Sequence, residues 1–343
     1  MIRVALLGFG YWGPNLARNF HSMSQYELIG IADLDAHRRE VASRKYPAAL
    51  VTANASELIE SKSIDLVAVA TPVSSHYELA LAALTAGKHV FVEKPVSASV
   101  SETQHLVDEA HARSLVLMVD YTYLFSAPVL KIKELIRSGA LGDIYYYDSI
   151  RVNLGIFQRD VDVIWDLAVH DFAIMDFLFE KSPSQVSAIG FQHVQKQNPN
   201  MAFISLLYSS GLVGHVNVNW LAPVKIRQTL IGGSKQMVVY DDLEPSEKIK
   251  IYDHGIDIRD AGQAENDSLY ELLAGYRKGD ITSPNLDATE ALHKELSHLA
   301  LCIKNRRSPI NDGSMGVRVA GLVSAVQQSV LKLGSPCSVS DPK

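Results

Sequence analysis

The chain has 343 residues, 47% hydrophobic and 20% charged, with a formal net charge of −6. That length accommodates two domains with separate cores, and that composition belongs to a folded globular protein. The acidic balance argues against nonspecific nucleic-acid binding, and no apolar run has membrane-spanning or signal-peptide form.

Ile2–Leu7 is a short apolar run that stops at Gly8-Phe9-Gly10-Tyr11-Trp12-Gly13. A helix-compatible stretch, Pro14–Met23, follows, and a second apolar run, Leu28–Ala32, ends at Asp33. Strand, Gly-x-Gly-x-x-Gly turn, helix, strand and acidic residue, in that order, form a dinucleotide-binding fingerprint. Gly8 permits the tight turn, Gly10 the approach of a pyrophosphate, and Gly13 the close packing of helix on strand. The helix N-terminus offers unpaired N–H groups to the phosphates. Asp33 lies about 20 residues past the last glycine, where a carboxylate accepts from a ribose 2′-OH. Its charge repels a 2′-phosphate, so NAD is the expected cofactor, with NADP as the alternative. Arg38 and Arg39, close behind, either accept that phosphate or simply open a solvated helix.

The alternation continues through a charged helix at Ala36–Lys45, a helix at Ala55–Ser61 and a strand at Ile64–Ala70. Thr71-Pro72 ends that strand, and His76–Ala86 reads as a helix stopped by Gly87. His89–Glu93 is the next strand, Val100–Arg113 a helix and Leu115–Val119 a strand. Repeated strand–helix units predict a doubly wound parallel sheet, an α/β Rossmann domain over residues 1–120. Thr71, Pro72, His76, Glu93 and Lys94 cluster at or just beyond the carboxyl ends of its strands, the edge where such sheets bind ligands. With Tyr11 and Trp12 of the glycine turn they complete the expected cofactor set.

After residue 120 the pattern changes. Asp143–Asn153, Val186–Phe191, Phe203–Tyr208, Leu212–Trp220, Ile226–Ile231 and Gln236–Asp241 read as strands separated by turns. In the clearest of them Leu212, Val216, Val218 and Trp220 share one face, and His215, Asn217 and Asn219 the other. Long helices are expected at Asp162–Phe179, Asp287–Asn305 and Met315–Leu333. Residues 121–343 are therefore predicted to form an α+β domain. Cys302 and Cys337 have no disulfide or zinc-site spacing, and no metal is expected.

Two candidates carry chemistry. Lys94, at the end of a buried strand between Glu93 and Pro95, has an expensive charge. It either pairs with Glu93 or stabilises an alkoxide beside the cofactor during hydride transfer. In Trp165-Asp166-Leu167-Ala168-Val169-His170-Asp171, a continuous helix places Asp166 and His170 one turn apart. Leu167, Ile174, Phe177 and Leu178 then face the core. His170 suits taking a hydroxyl proton, and Asp166 suits orienting the imidazole. Taken alone, the same pair is also a common surface hydrogen bond.

Gly8–Gly13, Thr71-Pro72, Glu93-Lys94-Pro95 and Asp166…His170 together resemble the Gfo/Idh/MocA oxidoreductases, relatives of glucose–fructose oxidoreductase and inositol dehydrogenase. The resemblance spans nearly the whole chain. It implies a catalytic set of Lys94, Asp166 and His170, with NAD or NADP in the first domain. It also implies a second domain with an open, largely antiparallel sheet that contributes substrate contacts and an oligomer interface, in a homodimer or homotetramer. One departure is the replacement by Ala168 and Val169 of a glycine often found between the Asp and the His.

Gly10–Asn15 and Trp165–Asp171 further resemble members of bacterial nucleotide-sugar metabolism, such as UDP-N-acetylglucosamine 3-dehydrogenases. Arg151, Asn153, Gln158 and Arg159 precede the catalytic helix and could reach a sugar or pyrophosphate. Lys225 and Arg227 alternate onto one face of a strand, a pair suited to phosphates. Each of these is equally consistent with a solvated or structural charge. The expectation is a cytoplasmic dehydrogenase or ketoreductase acting on a sugar, with a nucleotide sugar favoured. The alternatives are a free-polyol dehydrogenase and a dinucleotide-binding regulator.

Overall fold

The computed structural model describes residues 1–155, 161–194, 198–258 and 274–339. Gln158 and Arg159 lie outside the described residues.

The first sheet collects β1 (Ile2–Leu7), β2 (Tyr26–Ala32), β3 (Leu50–Thr52), β4 (Leu66–Val69), β5 (His89–Glu93) and β6 (Leu117–Asp120). Their order is β3-β2-β1-β4-β5-β6, and every pairing is parallel. Helices α1 (Gly13–Ser22), α2 (Ala36–Lys45), α3 (Ala55–Glu60), α4 (His76–Thr85) and α5 (Val100–Ala112) make the connections. The central strands read as unbroken apolar runs because both faces are covered: Leu66 to Val69 and Val90 to Val92 have no exposure. Side chains start the helices where the sequence supplies them. Asp35 accepts from the backbone N–H groups of His37 and Arg38, and Asn54 from that of Ser56. The strand order reverses between β1 and β4, and that reversal opens the crevice at their carboxyl ends.

The second sheet is built from β7 (Ile144–Leu154), β8 (Gln185–Phe191), β9 (Met201–Leu207), β10 (Val213–Asn219), β11 (Leu221–Gly233), β12 (Met237–Asp241), β13 (Ile249–Ile258), β14 (Ala274–Thr282) and β15 (Cys337–Ser338). Its order is β14-β13-β12-β11-β7-β10-β9-β8-β15, antiparallel except where β10 runs parallel to β7. The alternation in β10 is as read from the sequence. Val216, Val218 and the following Trp220 are buried, while His215, Asn217 and Asn219 are half-buried on the other face. β13, β14 and the helix α6 (Ala127–Arg137) are additions to the expected elements.

Two differences matter for the site. The helix expected over Asp162–Phe179 opens with a π-helical turn, Ile164–Ala168, and becomes α-helical only in α7 (Val169–Phe179). Helices α8 (Ala291–Asn305) and α9 (Gly313–Leu331) return to the first sheet. The Asn311 amide between them donates to the Val119 carbonyl at 2.6 Å, and the Tyr26 hydroxyl donates to the Leu296 carbonyl at 2.6 Å. Among the described residues, no helix is long and apolar enough to cross a membrane.

Candidate active site

The glycine turn is shaped by close approaches. Gly8 has φ +95°, and a Cβ there would lie 2.4 Å from the Ala70 carbonyl oxygen, where β4 ends. A Cβ on Gly13 would lie 2.2 Å from the Gly8 oxygen. Only bare backbone lets β1, α1 and β4 converge here, and the cradle this leaves fits a dinucleotide pyrophosphate at the start of α1. Asp33 braces the cradle, accepting from the Phe9 N–H at 2.7 Å and facing Arg38 at 3.7 Å. The Arg39 guanidinium is committed to the Asp33 and Leu34 carbonyls. Tyr11 is exposed at the lip. Trp12 turns inward, and its indole N–H donates to Asp120 at 2.7 Å.

The next two strand ends are tied together. His76 is buried, with Nδ1 2.8 Å from the Pro95 carbonyl and Nε2 2.7 Å from the Thr71 carbonyl. The Thr71 hydroxyl accepts from Ser75, and Pro72 is exposed. His76 thus holds the turn after β4 against the cis Lys94–Pro95 peptide after β5.

Lys94 does not pair with Glu93, whose carboxylate instead accepts from the Lys94 backbone N–H at 3.1 Å. The Lys94 ammonium crosses to the π-turn and donates to the Asp166 carbonyl at 2.9 Å and its carboxylate at 3.3 Å. The other Asp166 oxygen accepts from the Trp220 indole at 3.1 Å. Both members of the Lys94–Asp166 pair are 18% exposed, shielded yet reachable from the cleft.

Asp166 therefore differs from the expected orienter of His170. The extra residue of the π-turn shifts it out of the one-turn register of a continuous α-helix, toward Lys94 and Trp220. Among the described residues, Nδ1 of His170 is buried without a hydrogen-bond partner. Its ring packs edge-on against Tyr123, 5.0 Å between centroids. Burial first, then the positive charges of Lys94, Arg151 and Arg227, hold the imidazole well below the ordinary histidine range.

Behind Tyr123 lies a support the sequence reading missed. Asp171, fully buried on α7, accepts from the Tyr147 hydroxyl at 3.2 Å, the Ser149 hydroxyl at 2.6 Å and Arg151 Nε at 2.8 Å. Arg151 is only 5% exposed, with its guanidinium 4.8 Å from the Tyr123 centroid. Instead of reaching into the cleft, it backs the wall. Alternation explains this, because Tyr147, Ser149 and Arg151 share the face of β7 that meets α7. Arg227 is on the cleft side: it donates to the Tyr123 hydroxyl at 2.6 Å and faces Asp242 at 3.4 Å. Lys225 is exposed and Asn153 half-buried. Tyr123 joins these groups from a short 3₁₀ turn, Thr122–Phe125, a segment without periodicity to flag it.

Residues 2–121 match the family model described as "Oxidoreductase family, NAD-binding Rossmann fold", and residues 129–239 match "GFO/IDH/MocA C-terminal domain". The chain is 25% identical over 294 residues to myo-inositol 2-dehydrogenase of Thermotoga maritima, covering 80% of this chain and 84% of that protein. It is 26% identical over 337 residues to UDP-N-acetylglucosamine 3-dehydrogenase of Acidithiobacillus ferrooxidans, covering 96% of each. Among solved structures, levoglucosan dehydrogenase in complex with NADH has a TM-score of 0.83 at 20% identity, covering 99% of this chain and 100% of that one. With both domains matched and the expected motifs placed on one crevice, the chain belongs to the Gfo/Idh/MocA family of NAD-dependent oxidoreductases, whose named relatives are dehydrogenases of sugars and polyols.

Proposed function

We propose that the protein transfers hydride between NAD and a secondary hydroxyl carbon of a sugar carried on a nucleotide, with residues 1–120 holding the cofactor and residues 121–343 the substrate. What supports this reading is the shielded Lys94 ammonium just past β5 and the buried His170 imidazole beside Tyr123 and Arg227, at the carboxyl edge of the dinucleotide-binding sheet. The relative matched over 96% of both chains, a UDP-N-acetylglucosamine 3-dehydrogenase, supports the same class.

When bound, the nicotinamide supplies the two-electron acceptor or donor. The glycine turn and α1 would hold the pyrophosphate, and Asp33 would accept from a ribose hydroxyl. Lys94 donates to the substrate oxygen and stabilises negative charge as it develops there. His170, neutral in this environment, takes the hydroxyl proton during oxidation and returns it during reduction. Asp166 keeps the Lys94 ammonium aimed across the cleft, and Trp220 fixes Asp166.

The second reading is a free-polyol dehydrogenase. It is favoured by the engagement of Arg227 with Tyr123 and Asp242, which leaves the guanidinium already paired. The paired substitution Lys225→Ala with Arg227→Gln separates the two. The Michaelis constant for UDP-N-acetylglucosamine should rise about tenfold or more through lost charge-assisted contacts. That for myo-inositol should change little. An equal rise for both substrates, or none for the nucleotide sugar, would leave the polyol reading in its place.

We further propose a cytoplasmic homo-oligomer assembled through the open face of the second sheet. Ile189, Phe191, Phe203, Leu207 and Val213 are each 42–54% exposed there, and Ile189 pairs with Phe203 as Leu207 does with Val213. An apolar patch of this kind is unusual on a monomer, and a second copy of the same sheet covers it. Light scattering should give at least twice the 37.7 kDa chain mass, and Phe203→Glu should reduce it to one chain. A wild-type monomer would refute this assembly.

A further inference from the structure

The three carboxyl groups behind the cofactor turn have no part in the chemistry above. Asp120, the last residue of β6, is 2% exposed and stands in register with Glu93, the last residue of β5. One of its oxygens accepts from the Trp12 indole at 2.7 Å and the other from the Thr122 hydroxyl at 2.5 Å. Glu93, in register with Asp120 on the neighbouring strand, and Glu295 are the carboxyl groups beside it. Glu295 comes from α8 and is fully buried, and its Oε1 accepts from Asn311 at 2.8 Å.

Among the described residues, Oε2 of Glu295 has no donor within reach. Such a buried oxygen is least costly when it carries a proton itself. The directions of titration agree. Burial, then Asp120, raise both Glu93 and Glu295 well above the usual carboxylate range. Asp120 is the acceptor shared by Trp12 and Thr122, with the Glu93 and Glu295 carboxyl groups crowded beside it. Glu93 in turn accepts from the backbone N–H of Lys94. Two hydrogen bonds and the strand register between Asp120 and Glu93 thus connect the glycine turn to the Lys94 backbone.

We infer that Asp120 is a positioning residue for hydride transfer, one carboxylate that sets the cofactor turn and the Lys94 turn relative to each other through Trp12 and Glu93. The inference rests on the catalytic reading of Lys94, which is tested separately by substitution of Lys94 itself. Asp120→Asn keeps shape and volume but brings an amide donor to a place already filled with donors. Trp12→Phe keeps the ring and removes only the N–H.

Two measurements are needed: the dissociation constant of NADH by its own fluorescence, and the primary deuterium isotope effect on kcat with carbinol-deuterated substrate, using UDP-N-acetylglucosamine or myo-inositol. Each variant should weaken NADH binding about tenfold, the scale of one hydrogen bond to a charged group. Each should also raise the isotope effect, because misaligned hydride transfer becomes slower than the other steps. The double variant should be no worse than Asp120→Asn alone, since both changes break one bond.

A purely structural role would lower the melting temperature while NADH affinity and isotope effect stay at their wild-type values, and that result overturns the inference. So does additivity of the two variants. Should Asp120→Asn not fold, Trp12→Phe decides alone, with unchanged NADH affinity refuting it. If neither sugar is turned over by the wild type, the proposed substrate class fails, while the NADH titration still tests Asp120.

Discussion

Alanine at Lys94 or at His170 is expected to lower turnover by about 10²-fold or more, the scale of a lost electrostatic or general-base contribution. NADH affinity should hold, because the pyrophosphate cradle is built from the glycine turn and α1. The Lys94 ammonium donates to both the Asp166 carbonyl and its carboxylate, and alanine removes both bonds. The pH profile adds a signed test. His170 lies well below the ordinary histidine range through burial and then the cations Lys94, Arg151 and Arg227. In the oxidative direction the neutral imidazole is the active form, so kcat/KM should hold its plateau through pH 6.5 and fall only at lower pH. Lys94→Ala removes one of the depressing charges and should move that acid limb upward in the residual activity. Turnover within a few-fold of wild type in either alanine variant would remove that residue from the mechanism.

Asp171→Ala should cost about 3–5 kcal/mol of stability, the range found when one partner of a buried ion pair is deleted. Asp171 is fully buried, and its removal strands Arg151 together with the Tyr147 and Ser149 hydroxyls. Burial works against the charge of Arg151, but the adjacent carboxylate outweighs it and keeps the guanidinium firmly protonated. The contrast is the Arg18–Glu290 pair, whose side chains are 53% and 45% exposed. Glu290→Ala should change stability by about 1 kcal/mol or less, because solvent screens such pairs. Urea unfolding of both variants checks the comparison. Equal losses would mean that Asp171 is not the keystone of the wall behind Tyr123.

Legibility followed locality. The first sheet could be read from order alone, because strand, turn and helix each leave a mark within a few residues. Gly8, Gly13 and Asp33 lie where such a fingerprint puts them. The faces of β10 were equally plain, since a period of two needs only consecutive residues. What escaped depends on partners far along the chain. The bond from Trp220 to Asp166 joins residues 54 apart, and that from Trp12 to Asp120 residues 108 apart. The π-turn at Ile164–Ala168 has no compositional signature, so Asp166 was given the phase of a continuous helix. Arg151 read equally as a substrate contact or a structural charge, because the buried Asp171 that holds it lies 20 residues along the chain. The helix expected at Met315–Leu333 likewise came without any mark of which sheet it would cover.

That last point bears on biosynthesis. Gly313 of α9 packs its backbone against Leu117 and Val107, and Gly316 lies against Val96, Val119 and Thr103, all from the first 121 residues. The glycine turn, the strands and the lysine emerge early during translation, yet the flank beside β6 and α5 stays uncovered until residues 313–331 have left the ribosome. The first third of the chain is therefore expected to keep an apolar flank open during synthesis until α9 docks, which limited proteolysis of stalled nascent chains would test.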